Sequence, residues 1–285
     1  MLSCAWGGPS RANVALRPRP PARQAVGALL VCGVEVPNAR ESPASRALAA
    51  KAWPAEFPYS ASDLTPLDAG KDELFYLLPR FVQHAAVEAR DELGRFYSCA
   101  LPPPGEGDVL DLCSSWTSHY PAGYEARRCV VLGLNPFELL ANACRTEMRV
   151  QNLNADPKLP YADGSFDCVT LSLSVDYMTR PLELFGEIHR VLRPGGLACM
   201  AFTNRCFQSK VVRRWLAPFD NVAHVELVGA YFAFSAPWAA CEVADVSPDG
   251  WAGQQNPMLV VCGRKGTVQA TLPETEWAGD GRNAV

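Results

Sequence analysis

Asp111 ends a short apolar run and is followed by Cys113, Ser114, Ser115 and Thr117 in the stretch VLDLCSSWTSH. An acid at a strand end, then a turn of small residues, suits close approach of backbone to a bound ligand. Asn135 closes a second apolar run, in VVLGLNPFELL, and Asn152 with Leu153 closes a third, in VQNLNADPKLPY. In an open α/β sheet, ligands bind outside the carboxyl ends of the strands, at the switch in strand order. These eight residues are therefore the candidate groups for holding a ligand at the strand ends. Asp176 and Tyr177 follow a fourth run. There Asp176 could take a proton or orient an acceptor and Tyr177 could wall the site, while the competing reading makes them a helix cap and a packing residue. Asn204, after a fifth run, is a candidate substrate contact, with a turn role as its alternative.

Other reactive residue types give less. The chain has eleven cysteines and four histidines. No CxxC pair occurs, and Cys129, Cys168, Cys199 and Cys262 sit inside apolar runs, where a thiol behaves as a small buried hydrophobe. The expectation is reduced thiols and no metal site. His84, His119, His189 and His224 pair with no cysteine at ligand spacing and read as surface or packing residues. Cys206 has no basic partner fixed beside it and is a poor nucleophile.

The elements that must position these residues alternate between strand-like and helix-like. Strands are expected at 108–112, 129–132, 148–151, 167–173 and 197–202, and helices at 136–144 and 181–192, the second stopped by Gly195-Gly196. Alternation with short connections implies a mostly parallel sheet covered on both faces. The apolar runs 224–234 and 258–262 are read as a closing antiparallel hairpin. Leu74, Phe75, Leu78, Phe81 and Val82 recur at helical spacing, so an amphipathic helix over about 71–97 is expected as an N-terminal cap within 66–104, before a core domain over 105–265. Residues 35–65, rich in Pro, Ala and Ser, read as linker, and the polar chain after Lys265 as a disordered tail.

The net charge is −4, although the first 34 residues carry four arginines and no acid. An acidic body argues against a nucleic-acid partner. The Arg-containing, acid-poor leader reads as an organellar transit peptide over a secretory signal, with a merely disordered tail as the bland alternative. Its apolar run, 25–34, is too short to span a membrane.

The segments LPYADGSFDCVTL and RVLRPGG, followed by the apolar LACMAF, resemble the C-terminal half of class I S-adenosylmethionine-dependent methyltransferases of the type 11 kind. The resemblance implies a Rossmann-like α/β sandwich with a seven-stranded, mostly parallel sheet and an antiparallel last strand. It also implies S-adenosyl-L-methionine as cofactor and a small-molecule acceptor. In such proteins the turn after the first strand is Gly-x-Gly-x-Gly. Here Cys113, Ser115 and Thr117 stand at the glycine positions, Asn135 where an acid holds the ribose hydroxyls, and Asn152 where an Asp faces the adenine amino group. The combination DLCSSWxSH, SVDY and F-x-NRCF is similar to a plant and algal, plastid-targeted branch, which favours chloroplast over mitochondrion. Two other readings stand beside this one. A non-catalytic descendant would have kept the fold and lost the cofactor, and a dinucleotide oxidoreductase would need the GxGxxG that the first turn lacks.

Overall fold

A computed structural model describes residues 28–248 and 256–267. The leader (apart from its last few residues) and the polar tail lie outside the described residues. A seven-stranded sheet is built from β3 (Asp108–Leu112), β4 (Arg128–Gly133), β5 (Glu147–Val150), β6 (Phe166–Ser172), β7 (Leu192–Phe202), β8 (Trp238–Asp245) and β9 (Leu259–Lys265). Its strand order is β5-β4-β3-β6-β7-β9-β8. The pairs from β5 to β7 are parallel, and β9 runs antiparallel to both of its neighbours. This is the Rossmann-like class I methyltransferase sheet, with the order reversing between β3 and β6.

Strand alternation divides the core. Leu110, Leu112, Val130, Val169 and Met200 face α5 (Pro181–Val191), α7 (Asn221–Ser235) and α1 (Pro43–Ala49). Val109, Cys168, Cys199, Val260 and Cys262 face α3 (Val87–Ala100), together with a hairpin of β1 (Leu29–Val31) and β2 (Val34–Val36). The described cysteines are all free thiols. Among the described residues no helix is long and apolar enough to cross a membrane, and no group of side chains is arranged to hold a metal ion.

Three expectations need correction. The run 224–234 is not a strand but most of α7, capped by Asp220, whose carboxylate accepts from Ala223 N at 2.9 Å. Its residues are apolar on nearly every face because the helix is wedged between α1, α5 and β8. A continuous apolar run carries no period to tell helix from strand. Tyr231 and Phe232 are accordingly buried helix residues. Residues 35–65 are not bare linker, since β2 and α1 lie there. Ser42 and Ser45 form a capping box, and Leu48 seats against α7 at Gly229, where a Cβ would lie 2.3 Å from Leu48 Cδ1.

The expected helix 71–97 is broken into α2 (Asp72–Phe75), an irregular stretch, and α3. Pro79 lies in the gap and excludes a continuous helix there. Leu74, Leu78, Phe81 and Val82 consequently point outward and are more than half exposed.

The N-terminal rim of the sheet is closed by charge. Arg193 reaches Asp108 and Asp167, both at 2.6 Å, and Arg127 meets Asp108 at 2.8 Å. Burial pushes the Asp108 carboxyl up, but the two guanidinium groups outweigh it and hold its pKa below the usual range. Arg190 ties the preceding turn through Leu159 O, Tyr161 O and Asp163. Both arginines of RVLRPGG thus serve the architecture.

Candidate functional site

At the opposite rim a cavity of about 1130 Å³ opens over the C-terminal ends of β3, β4 and β6. Its lining contains all eight candidate cofactor residues: Asp111, Cys113, Ser114, Ser115, Thr117, Asn135, Asn152 and Leu153. A strap of chain, residues 61–84, crosses its mouth and supplies the rest of one wall, including Asp72, Tyr76, Arg80 and His84.

The turn after β3 is held from beneath. Asp111 is buried; its oxygens accept from Ser114 Oγ at 2.6 Å and Thr170 Oγ1 at 2.8 Å. Burial raises its pKa to about 6 against the pull of the Ser114, Ser118 and Thr170 hydroxyls. Asn142, fully buried, donates to Ser115 O and Ser118 Oγ, both at 2.9 Å. Cys113 takes the left-handed conformation (φ 50°) that a glycine would adopt at less cost. Gly133 makes room for this turn, since a Cβ there would lie 2.2 Å from Ser114 O. No helix follows the turn: residues 113–127 are irregular until β4 begins. His119, read as a surface or packing residue, lines the cavity with φ 58°, and burial lowers its pKa to about 4.

Asn135 is placed at the cavity but is committed elsewhere. It caps α4 (Pro136–Ala141), its Oδ1 accepting from Phe137 N and Glu138 N, while Nδ2 donates to Tyr76 O and Leu77 O. Two donors and two lone pairs exhaust a side-chain amide. Asn135 therefore has no capacity for a ribose diol in this state, contrary to the role the resemblance implied. Asn152 is similarly engaged: Oδ1 accepts from Asn154 N and Ala155 N, and Nδ2 donates to Glu73 at 2.6 Å. Leu153 is buried and gives an apolar wall.

Glu138, which the sequence reading passed over, lines the cavity one turn into α4. Its carboxylate accepts from Ser115 Oγ at 2.6 Å and Arg80 N at 2.7 Å, leaving lone pairs for further donors. The signal was in the sequence: in N-P-x-E, Asn is the helix cap, Pro the first helical residue, and Glu the next polar group on the same rim.

The proposed transfer residues separate. Tyr177 lines the cavity, and its hydroxyl accepts from Phe207 N at 2.9 Å. Asp176 lies behind that wall, 3% exposed, in a single 3-10 turn (Val175–Tyr177), and burial raises its pKa to about 8. It holds its proton more tightly than an ordinary carboxyl and is outside the lining. Asn204 is also outside the lining, whereas its neighbours Thr203 and Arg205 are in it. Burial raises the Cys206 thiol to about 11, with Asp176 adding to the effect, so it is not a thiolate. His84 lines the cavity with its pKa lowered, chiefly by burial, so its imidazole is neutral at pH 7.

Known proteins resemble part of this chain. Residues 112–200 match the Methyltransf_11 family, a methyltransferase domain. A ubiquinone/menaquinone biosynthesis C-methyltransferase of Rubrivivax gelatinosus is 30% identical over 148 residues, which are 50% of this chain and 55% of that one. An uncharacterized methyltransferase of Mycolicibacterium gilvum is 36% identical over 89 residues, covering 30% of this chain and 31% of its own. The chain thus spans about half, or less, of these curated relatives. An S-adenosylmethionine-dependent methyltransferase structure from Mesorhizobium loti is 18% identical, covers 58% of this chain and 94% of its own, and has a TM-score of 0.40. Together the family match and the sheet order support a class I methyltransferase domain in this chain, its matched segment running from the end of β3 into β7.

Proposed function

We propose that this chain transfers a methyl group from S-adenosyl-L-methionine to a small-molecule acceptor. The observation that carries this reading is the cavity at the strand-order switch, which gathers every sequence-assigned cofactor residue around one opening. Its volume exceeds the range typical of a single drug-sized ligand, leaving room for cofactor and acceptor together. The donor set fits the cofactor with one reassignment: Glu138, in place of Asn135, offers the carboxylate for two vicinal ribose hydroxyls. Leu153 provides the apolar wall for the adenine ring. When bound, the cofactor supplies a methyl group on a sulfonium centre, and the transfer needs positioning above all. The neutral imidazole of His84 is available to take the acceptor's proton, a role the sequence reading gave to Asp176.

Calorimetric titration of the full chain with S-adenosylmethionine and S-adenosylhomocysteine tests the reading. Micromolar binding, weakened about tenfold in Glu138→Gln, is expected for loss of a charge-assisted acceptor. No heat from a folded protein would overturn it and favour the non-catalytic binding or scaffold alternative. The same proposal includes plastid import directed by residues 1–34. A fluorescent fusion of that segment staying cytosolic in plant cells would remove that part.

A further inference from the structure

Arg80 lines the cavity from the strap. Its guanidinium stands over three aromatic rings, 4.5 Å from the centroid of Phe75, 5.2 Å from Phe207 and 5.5 Å from Tyr76. Nη2 donates to Phe75 O at 2.9 Å, while Nη1 is buried with no acceptor. Glu138 takes the backbone N–H of Arg80, not its side chain, and among the described residues no carboxylate forms an ion pair with the guanidinium. Lys210, the buried cation on the same lining, shows the contrast: its ammonium lies 3.2 Å from Asp68 and 3.3 Å from Asp72 and bonds Gly70 O at 2.7 Å. A buried, charged donor left without a partner is costly and calls for an explanation.

The cavity has a matching need. Anionic groups of nucleotide-type ligands are commonly received at the N-terminus of the helix that follows the first strand of the sheet. Here no helix follows β3, so that backbone site is missing. We propose that Arg80 is the carboxylate-binding residue of this cavity. Its planar fork takes both oxygens of the anion, and the surrounding rings keep water from competing. The carboxylate has two possible sources, the amino-acid end of the cofactor or an acid group on the acceptor. The inference rests on the methyl-transfer reading for the first source alone.

Titrations of four ligands into the full chain separate these cases. S-adenosylmethionine and its decarboxylated analogue are titrated into wild type, Arg80→Gln and Arg80→Lys, with thermal melts confirming that each is folded. Benzoate and neutral benzamide are then titrated into the same proteins, with and without S-adenosylhomocysteine. If the cofactor supplies the anion, wild type binds the decarboxylated analogue about 10- to 100-fold more weakly than S-adenosylmethionine. Arg80→Gln then binds both alike, and Arg80→Lys recovers part of the difference. If the acceptor supplies it, the two cofactor forms bind wild type alike, benzoate binds where benzamide does not, and Arg80→Gln loses benzoate. A folded Arg80→Gln protein with wild-type affinities throughout overturns the proposal. Benzoate binding that depends on Arg80, in a wild type that binds neither cofactor form, supports Arg80 and overturns the methyl-transfer reading instead.

Discussion

The two rims of the sheet treat charge in opposite ways. At the N-terminal rim Arg127, Arg193, Asp108 and Asp167 neutralise one another within hydrogen-bonding distance. At the C-terminal rim the Arg80 guanidinium is left over three rings, two acids are held well above their ordinary pKa, and a left-handed cysteine carries strain. The closed rim is built for stability and the open one for a ligand. The most recognisable stretch of the sequence, RVLRPGG, belongs to the closed rim, and the most altered stretch, DLCSSWTSH, to the open one. The fold and the chemistry are therefore legible at opposite rims of the same sheet.

The largest effect expected at the open rim is from Gly133→Ala, whose Cβ would meet Ser114 O at 2.2 Å and Leu139 Cδ2 at 3.2 Å. Displacing backbone in this way should cost about 3 kcal/mol and remove cofactor binding, read by denaturant unfolding and calorimetry. Unchanged binding in that variant would mean the turn after β3 is not part of the ligand site. At the closed rim, Asp108→Asn should cost about 1–2 kcal/mol by leaving Arg127 without its carboxylate and Arg193 with Asp167 alone. Cofactor affinity should stay at the wild-type value, and a parallel fall in affinity would show that the rims are coupled.

The rims also differ in pH response. Asp176, raised from 3.8 to about 8 by burial, binds its proton more tightly in the folded than in the unfolded protein. Its contribution to stability is complete below about pH 4 and is lost as pH rises towards 8. Urea unfolding at pH 5 and pH 8 should show this fall, flattened in Asp176→Asn; an equal slope in both proteins would place the pH dependence elsewhere. Asp108, held low by its arginines, has the opposite sign and loses stability only as pH falls below the ordinary carboxylate range. The smallest effect sharpens the contrast: Cys113→Gly should stabilise the open rim by about 1 kcal/mol, because glycine adopts φ 50° without penalty. A destabilised glycine variant would show that the thiol's packing outweighs the strain.

Legibility followed the same division. The five parallel strands and α5 were readable within a few residues: four of the strands are buried apolar runs between turn signals, and β5 lies exposed at the sheet edge beside them. The cavity residues were readable as positions, because the ends of successive strands must converge. Their roles were not. Asn135 looks like a ligand-binding amide until Tyr76 and Leu77 are seen to take its N–H groups, and those contacts come from a strap 58 residues upstream. Glu138 and Arg80 escaped notice for the same reason. Their partners are set by where the strap lies, and Pro79, which redirects it, left the apolar spacing around it unchanged.

The strap is fixed at both ends, by α1 wedged on α7 and by α3 packed on the sheet. It is a belt across the mouth and not a flap on one hinge. Its fastenings at Lys210, Asn152, Asn135 and Glu138 are spaced along the belt and load in parallel. Backbone hydrogen bonds add to them, joining Asp63, Thr65 and Asp68 to Arg214, Arg213 and Ser209, so the mouth is bordered by a chain held along its length as well as at its ends.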